Sequence, residues 1–261
     1  MYPLRRVLQI GSFAADCIYR KKFKRLRHAF DLYTLDLFRS LKRCDPEGFQ
    51  FVFDGGANHG QFSRSILRIS PHAKVISVEP LAALPTASAP DSWIDCRTDL
   101  EKLACKYPKL VVVGKALADR ETRREFFVTQ FDQCSSLVKP PEKSSSGAFN
   151  TLATYQVDTT TIDNITDSEN IRRLDLLKLD LQGGELMALR GGIETLKITK
   201  YVLVELNLRR VYAEAPTANA VAEFLHERGF LFEEITNYIH TADGSLAQCD
   251  GLFRKESRLY C

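Results

Sequence analysis

Apolar positions along this chain fall into short continuous runs that stop at an acid or a glycine, separated by stretches of helical spacing. Phe49–Phe53 is the first run. It stops at Asp54-Gly55-Gly56, and apolar residues restart near Gln61 as Phe62, Ile66, Leu67 and Ile69. A buried strand, a glycine turn and an amphipathic helix make the first βα unit of a doubly wound α/β sheet. Lys74–Pro80 is a second strand, ending in Glu79, and Leu110–Val113 a third. Asp99–Tyr107 is a candidate helix, Glu125–Val128 an additional strand, and Tyr155–Asp163 a β-rich stretch. In Leu174–Asp180 and the following LQGGELMALRGG the opening pattern recurs, with the helix at Glu185–Arg190. Tyr201–Glu205 is the next strand. Val221–Arg228 reads as an amphipathic helix stopped by Gly229. Two last strands, Phe230–Ile235 and Gly251–Arg254, follow, with the turn pair Asp243-Gly244 before the second.

The flanks differ from this pattern. Residues 1–44 read as two short helices and carry +8 of a formal net charge of +3, leaving −5 on the remainder. The run Arg20–Phe30 spaces Phe23, Leu26 and Phe30 helically among basic residues. A weak membrane-surface contact is one use for it, and a solvated basic face is the preferred one. Asp45–Gly48 is turn chemistry, which sets a basic N-terminal helical extension (1–44) apart from a main domain (45–261). That domain carries a β-rich insertion at about 119–173, in which the Pro- and Ser-rich Lys139–Asn150 has the composition of a lid. No signal peptide or bilayer-length apolar run is read. Seven scattered cysteines without a C-x-x-C pair fit a reduced, cytoplasmic setting. No metal ligand set and no nucleic-acid partner is expected.

Ligands of open α/β sheets bind outside the carboxyl ends of the strands, where four of these strands end in an acid: Asp54, Glu79, Asp180 and Glu205. A dinucleotide site asks for G-x-G-x-x-G. Here Gly55-Gly56-Ala57-Asn58-His59-Gly60 follows an acid, which suits a cationic ligand and not a pyrophosphate. S-adenosylmethionine carries an ammonium, a sulfonium and a ribose and no phosphate. The expected cofactor contacts are therefore Asp54, Gly55, Gly56, Ala57, Asn58 and Gly60 at its methionine end. Glu79, with Pro80 beside it, is placed at its ribose. The glycines are expected to let the backbone approach the ligand. For Glu79 the plainer alternative is helix capping.

The chain resembles the FkbM-type methyltransferases, a class I S-adenosylmethionine-dependent family. The resembling pieces are FDGGANHGQFS (53–63), VEP (78–80), Ser135-Ser136-Leu137, VDTTTIDNI (157–165), DLLKLDLQGGELMALRGG (175–192) and YVLVELN (201–207). The resemblance implies a seven-stranded sheet with its last strand antiparallel. It also implies methyl transfer to a hydroxyl of a sugar or polyketide-like small molecule. Where the family has Lys-x-Asp-x-Glu-Gly-x-Glu, Lys178, Asp180, Gly183 and Glu185 match, and Gln182 replaces the first glutamate. Lys178 and Asp180, two apart on one strand, face the same side and are expected to pair. Asp180, Glu205 and Glu185 are the candidates for acceptor binding or general base, with a dipole role in the first helical turn as the alternative for Glu185. His59 is a candidate base, with a tolerated polar residue of the turn as the preferred reading. The competing readings are a nicotinamide-dependent oxidoreductase and a non-catalytic cofactor-binding relative, the second kept alive by Gln182.

Overall fold

Residues 48–84, 95–141, 147, 149–209, 212, 214–240 and 244–256 are described by the computed structural model. The basic segment 1–44 with its expected helices and basic run lies outside them, as does the middle of the expected lid.

Seven strands form the main sheet: β1 (Phe51–Gly55), β2 (Lys74–Val78), β3 (Leu110–Val113), β7 (Leu174–Leu179), β8 (Thr199–Asn207), β9 (Phe230–His240) and β10 (Leu246–Lys255). Their order is β3-β2-β1-β7-β8-β10-β9. The ladders from β3 to β8 are parallel, and β10 runs against both of its neighbours. The last strand of the chain is thus antiparallel, in a mostly parallel seven-stranded α/β sheet.

Period-two alternation sends neighbouring residues to opposite faces. Phe53, Ile76, Leu177 and Val202 pack on one face. They meet α3 (Ile162–Ser168), α4 (Glu185–Arg190), α5 (Ile193–Ile198) and α6 (Ala218–His226) through Ile162, Leu189, Leu196 and Leu225. Val52, Val75, Leu176 and Leu203 pack on the other face with Ile66 and Leu67 of α1 (Gln61–Ile69) and Leu103 of α2 (Cys96–Lys106). The sheet is doubly wound. Buried Asp175 fixes its centre: Oδ2 accepts from the backbone N–H of Gln50 (2.7 Å) and Phe51 (3.0 Å), and Oδ1 meets Arg173 Nη2 at 2.7 Å.

A smaller sheet, ordered β4-β6-β5, is built from β4 (Ala116–Leu117), β5 (Arg123–Thr129) and β6 (Thr151–Thr160). Both β4 and α5 escape sequence reading. Two residues give β4 no periodicity, and Gly191-Gly192 looks like a stop. Gly192 is instead the N-cap of α5, and a Cβ on Gly191 would sit 2.3 Å from the Ala118 carbonyl oxygen, so that glycine serves close packing. The last two strands exceed the expected bounds because β9 and β10 pair with each other from Phe230–Lys255 to His240–Leu246.

Candidate functional site

The turn from β1 into α1 lies at the carboxyl end of the sheet. The N–H groups of Gly56 and Ala57 donate to the Val78 carbonyl (3.0 and 3.1 Å), which seats the turn on β2. Gly56 and Gly60 have φ of 75° and 73°, where a side chain is strained. A Cβ on Gly56 would lie 1.9 Å from the Asp180 carbonyl oxygen; one on Gly55, 2.7 Å from Leu117 Cδ1; one on Gly60, 3.0 Å from Leu100 Cδ2. The atoms in the way belong to the protein itself. These glycines allow the turn to close on β4, α2 and the residue after β7. The same closeness, with Asp180 N–H donating to Gly55 O at 3.1 Å, merges the two acid-glycine motifs into one rim.

Asp54 is fully buried and turned inward. Its Oδ2 accepts from Ser63 Oγ in α1 (2.6 Å), and its Oδ1 faces Lys178 Nζ at 3.1 Å. Any hold Asp54 has on a ligand therefore runs through the turn. Lys178 also donates to the carbonyls of Gly55 (3.3 Å) and Gly56 (2.8 Å), and stands 4.0 Å from Asp180. Its first partner is Asp54, and the expected pair with Asp180 is the longer one. Burial pulls the Lys178 ammonium down, but Asp54 and Asp180 more than offset it, so its pKa is raised.

Glu79 follows β2 and does cap. Oε1 accepts from Leu81 N–H (2.9 Å) at the start of the single 3₁₀ turn Pro80–Ala83, and Oε2 from Asn58 N–H (2.8 Å). Each carboxylate oxygen has a second lone pair, so capping leaves acceptor capacity for a ligand hydroxyl. Burial pushes the Glu79 carboxyl up to about 7, against the pull of those two N–H groups and of Lys178. Ala57 is buried beside Ala82 and Leu100.

The acids of the second rim differ sharply in exposure. Asp180 shows 43% of its side chain. Glu205 and Glu185 are buried. Glu185 Oε1 accepts from the N–H groups of Leu181 (2.8 Å) and Gly183 (3.1 Å), so it organises the turn ahead of α4. Burial, with Asp180 nearby, moves its carboxyl up to about 7. Burial, then Asp180 and Glu185, push Glu205 well above the ordinary carboxylate range. Asp250, directly across from Glu205 on β10, is raised to about 6 by burial and Asp180. Gln182 sits among them at φ 54°. Its Nε2 donates to Asp180 Oδ1 (2.9 Å) and Glu205 Oε2 (2.7 Å), and its Oε1 accepts from Tyr212 Oη at 3.2 Å. Ser136 Oγ reaches the carbonyls of Leu181 (3.0 Å) and Gln182 (2.9 Å), tying the β5–β6 connection to this rim.

Sequence reasoning misses the residues around His59. Its Nδ1 lies 2.8 Å from Asp99 Oδ2 and its Nε2 2.7 Å from Asp132 Oδ2. With a carboxylate on each side, both nitrogens donate and the ring is an imidazolium. Burial pulls its pKa down, but the bonds to Asp132 and Asp99 push it up to about 12, which removes His59 from the candidate bases. The partners stand 40 and 73 positions away, so no local spacing could reveal them. Asp250 and Tyr212 likewise carry no signal along the chain. A cavity of about 560 Å³ lined by Gln50, Phe51, Lys74, Lys109 and Val111 opens at the amino ends of the strands, away from all these groups.

Comparison with known proteins gives one family model, the Methyltransferase FkbM domain, matching residues 54–232. Among curated proteins, the chain is 24% identical over 221 residues to the 2-O-methyltransferase NoeI of Sinorhizobium fredii, covering 79% of this chain and 80% of that one. It is 25% identical over 210 residues to the AMB antimetabolite synthetase AmbE of Pseudomonas aeruginosa, covering 69% of this chain and 9% of that much longer protein. Among solved structures, the methyltransferase FkbM of Methylobacillus flagellatus KT aligns with a TM-score of 0.45 at 16% identity, over 79% of this chain and 43% of that one.

Proposed function

The chain belongs to the FkbM-domain methyltransferases, and from that premise we propose that it transfers a methyl group from S-adenosylmethionine to a hydroxyl oxygen of a sugar or polyketide-like small molecule. It is an S-adenosylmethionine-dependent methyltransferase; oxygen as the acceptor atom and the class of acceptor are the proposal. NoeI, a 2-O-methyltransferase, supports oxygen.

The donor set around the turn fits the cofactor. Carboxylates of Asp54, Glu79, Asp132 and Asp180 gather there, while the cations Lys178 and His59 are already committed to carboxylates and Arg64 donates to the His59 carbonyl. Such a site accepts an ammonium and a sulfonium and opposes a pyrophosphate. Glu79 would take the ribose hydroxyls. The turn Gly55–Gly60, with Ala57, Asn58 and Pro80, would shape the rest of the pocket. When bound, the cofactor supplies a methyl group already activated by a positive sulfur.

The chain's remaining tasks are to aim the acceptor oxygen and take its proton. Asp180 is the residue for the second task. Glu205 and Glu185 are buried and already engaged inside the rim, Glu185 by the N–H groups of Leu181 and Gly183 and Glu205 by the Gln182 amide, so neither is presented to an acceptor. Asp180 is open to solvent on one side and held by Gln182 on the other. The observation that carries this reading is the seating of the Gly55–Gly56 turn directly on Asp180, so that a donor held by the turn lies beside the base. Gln182 in place of the family's glutamate keeps the rim assembled, since its amide binds both Asp180 and Glu205. The insertion at about 119–173 and residues 1–44 are proposed to select the acceptor.

A panel of sugars and hydroxylated small molecules, assayed with labelled S-adenosylmethionine, tests this. With an acceptor in hand, Asp180→Asn should lower kcat by roughly 10²–10⁴, as for loss of a general base. A variant as fast as the parent removes Asp180 from that role.

A further inference from the structure

Among the described residues, one cluster joins three different kinds of metal-ligating side chain. Ligand atoms of His59, Cys96 and Asp132 all lie within 4.8 Å of one another. They come from the turn after β1, the first residue of α2 and the 3₁₀ turn Asp132–Cys134 after β5. Cys96 and Asp132 are buried, and His59 shows 14% of its side chain.

Two observations go beyond proximity. Asp99 Oδ2 stands 2.8 Å from His59 Nδ1. In metal sites a carboxylate on one imidazole nitrogen fixes the tautomer and aims the other nitrogen at the ion. Here the other nitrogen, Nε2, does point at Asp132. Asp132 is itself held, since Asn58 Nδ2 donates to its Oδ2 at 3.2 Å. A ligating carboxylate is oriented in the same way.

We propose that His59, Cys96 and Asp132 bind a divalent transition-metal ion, zinc above others, with Asp99 orienting His59. A thiolate, an imidazole and a carboxylate are a borderline-soft set; calcium and magnesium would require oxygen ligands. Three protein ligands leave the fourth tetrahedral position to a water. Binding releases two protons, from the Cys96 thiol and from His59 Nε2, and the ion takes their place. Two ligands of one tetrahedral zinc stand about 3.4 Å apart, so the 2.7 Å His59–Asp132 pair must open by a fraction of an ångström. The ion would tie the cofactor turn to α2 and to the small sheet, a structural task separate from methyl transfer.

Cobalt(II) added to the metal-free full-length chain provides the test. The expected result is a thiolate-to-cobalt charge-transfer band in the near ultraviolet, saturating at one equivalent and abolished by zinc. Cys96→Ser should lose the band, and Cys105→Ser, which alters an exposed cysteine, should keep it. Asp99→Asn should weaken zinc binding, measured by competition with a chromophoric chelator, by roughly 10–100-fold. Should Cys96→Ser fail to fold, Asp132→Asn carries the same test through the chelator measurement. No band, or a band that survives in folded Cys96→Ser, overturns the proposal and leaves the cluster as a carboxylate-clamped imidazolium.

Discussion

Lys178 compensates a fully buried acid at the start of the β1–α1 turn. Asp54 has no exposed surface, and its Oδ1 faces Lys178 Nζ at 3.1 Å. Removing one partner of a buried ion pair leaves an uncompensated charge and costs about 3–5 kcal/mol. Lys178→Met should therefore lower the unfolding free energy from urea titration by that much, and adding Asp54→Asn should recover a large part of it. Equal stability of the two variants would show that the pair is not the cause. Glu185 gives a pH signature instead. Its folded-state pKa of about 7 lies above the ordinary 4.5, so the folded chain binds this proton more tightly than the unfolded one. The stabilisation is complete below pH 4.5 and is lost as pH rises through 7. Glu185→Gln keeps an acceptor for Leu181 and Gly183 and removes that loss. Its unfolding free energy from urea titration should gain on the parent between pH 4.5 and 7 and level off above, by on the order of 3 kcal/mol. A gain independent of pH would contradict the assignment.

At the scale of elements, the β1–α1 turn is defined by what surrounds its glycines. Gly56→Ala would drive a methyl into the Asp180 carbonyl, a backbone atom that cannot step aside, at a φ of 75°. Gly229 has the same φ with nothing within 4 Å, so Gly229→Ala should cost only the backbone strain of about 1–2 kcal/mol. Thermal melts should rank Gly56→Ala well below Gly229→Ala, and similar losses would mean that the turn yields. This element also marks how far sequence reasoning reaches. A strand, an acid and glycines are visible along the chain because they are local, and the turn they imply is present. The reason for the glycines is invisible, because Asp180, Leu117 and Leu100 arrive from elsewhere. The same holds for His59, whose two carboxylate partners lie on α2 and after β5. Glu79 is a mixed case: its place at the tip of β2 is legible, while its bonds to Asn58 and Leu81 emerge only in three dimensions.

For the whole molecule, the seven-stranded order and the antiparallel last strand agree with what the resemblance implies, and the family match extends from residue 54 to 232. Parallel strands were legible because both their faces are buried, which makes them continuous apolar runs. The small sheet was less so, since β4 is only two residues long, while β6 alternates from Leu152 to Thr159 and is legible as a β-rich stretch. The consequence for function is that one rim is assembled from β1, β2, β7 and β8, with carboxylates at each strand end and the cations already paired. This rim is proposed to hold S-adenosylmethionine with Glu79 at the ribose. Isothermal titration of S-adenosylmethionine and of NAD into the parent chain and Glu79→Gln tests it most directly. The parent should bind S-adenosylmethionine and not NAD, and Glu79→Gln should bind it roughly 10–100-fold more weakly, the worth of a hydrogen bond to a charged acceptor. Binding of NAD in its place, or unchanged affinity in the variant, would contradict it.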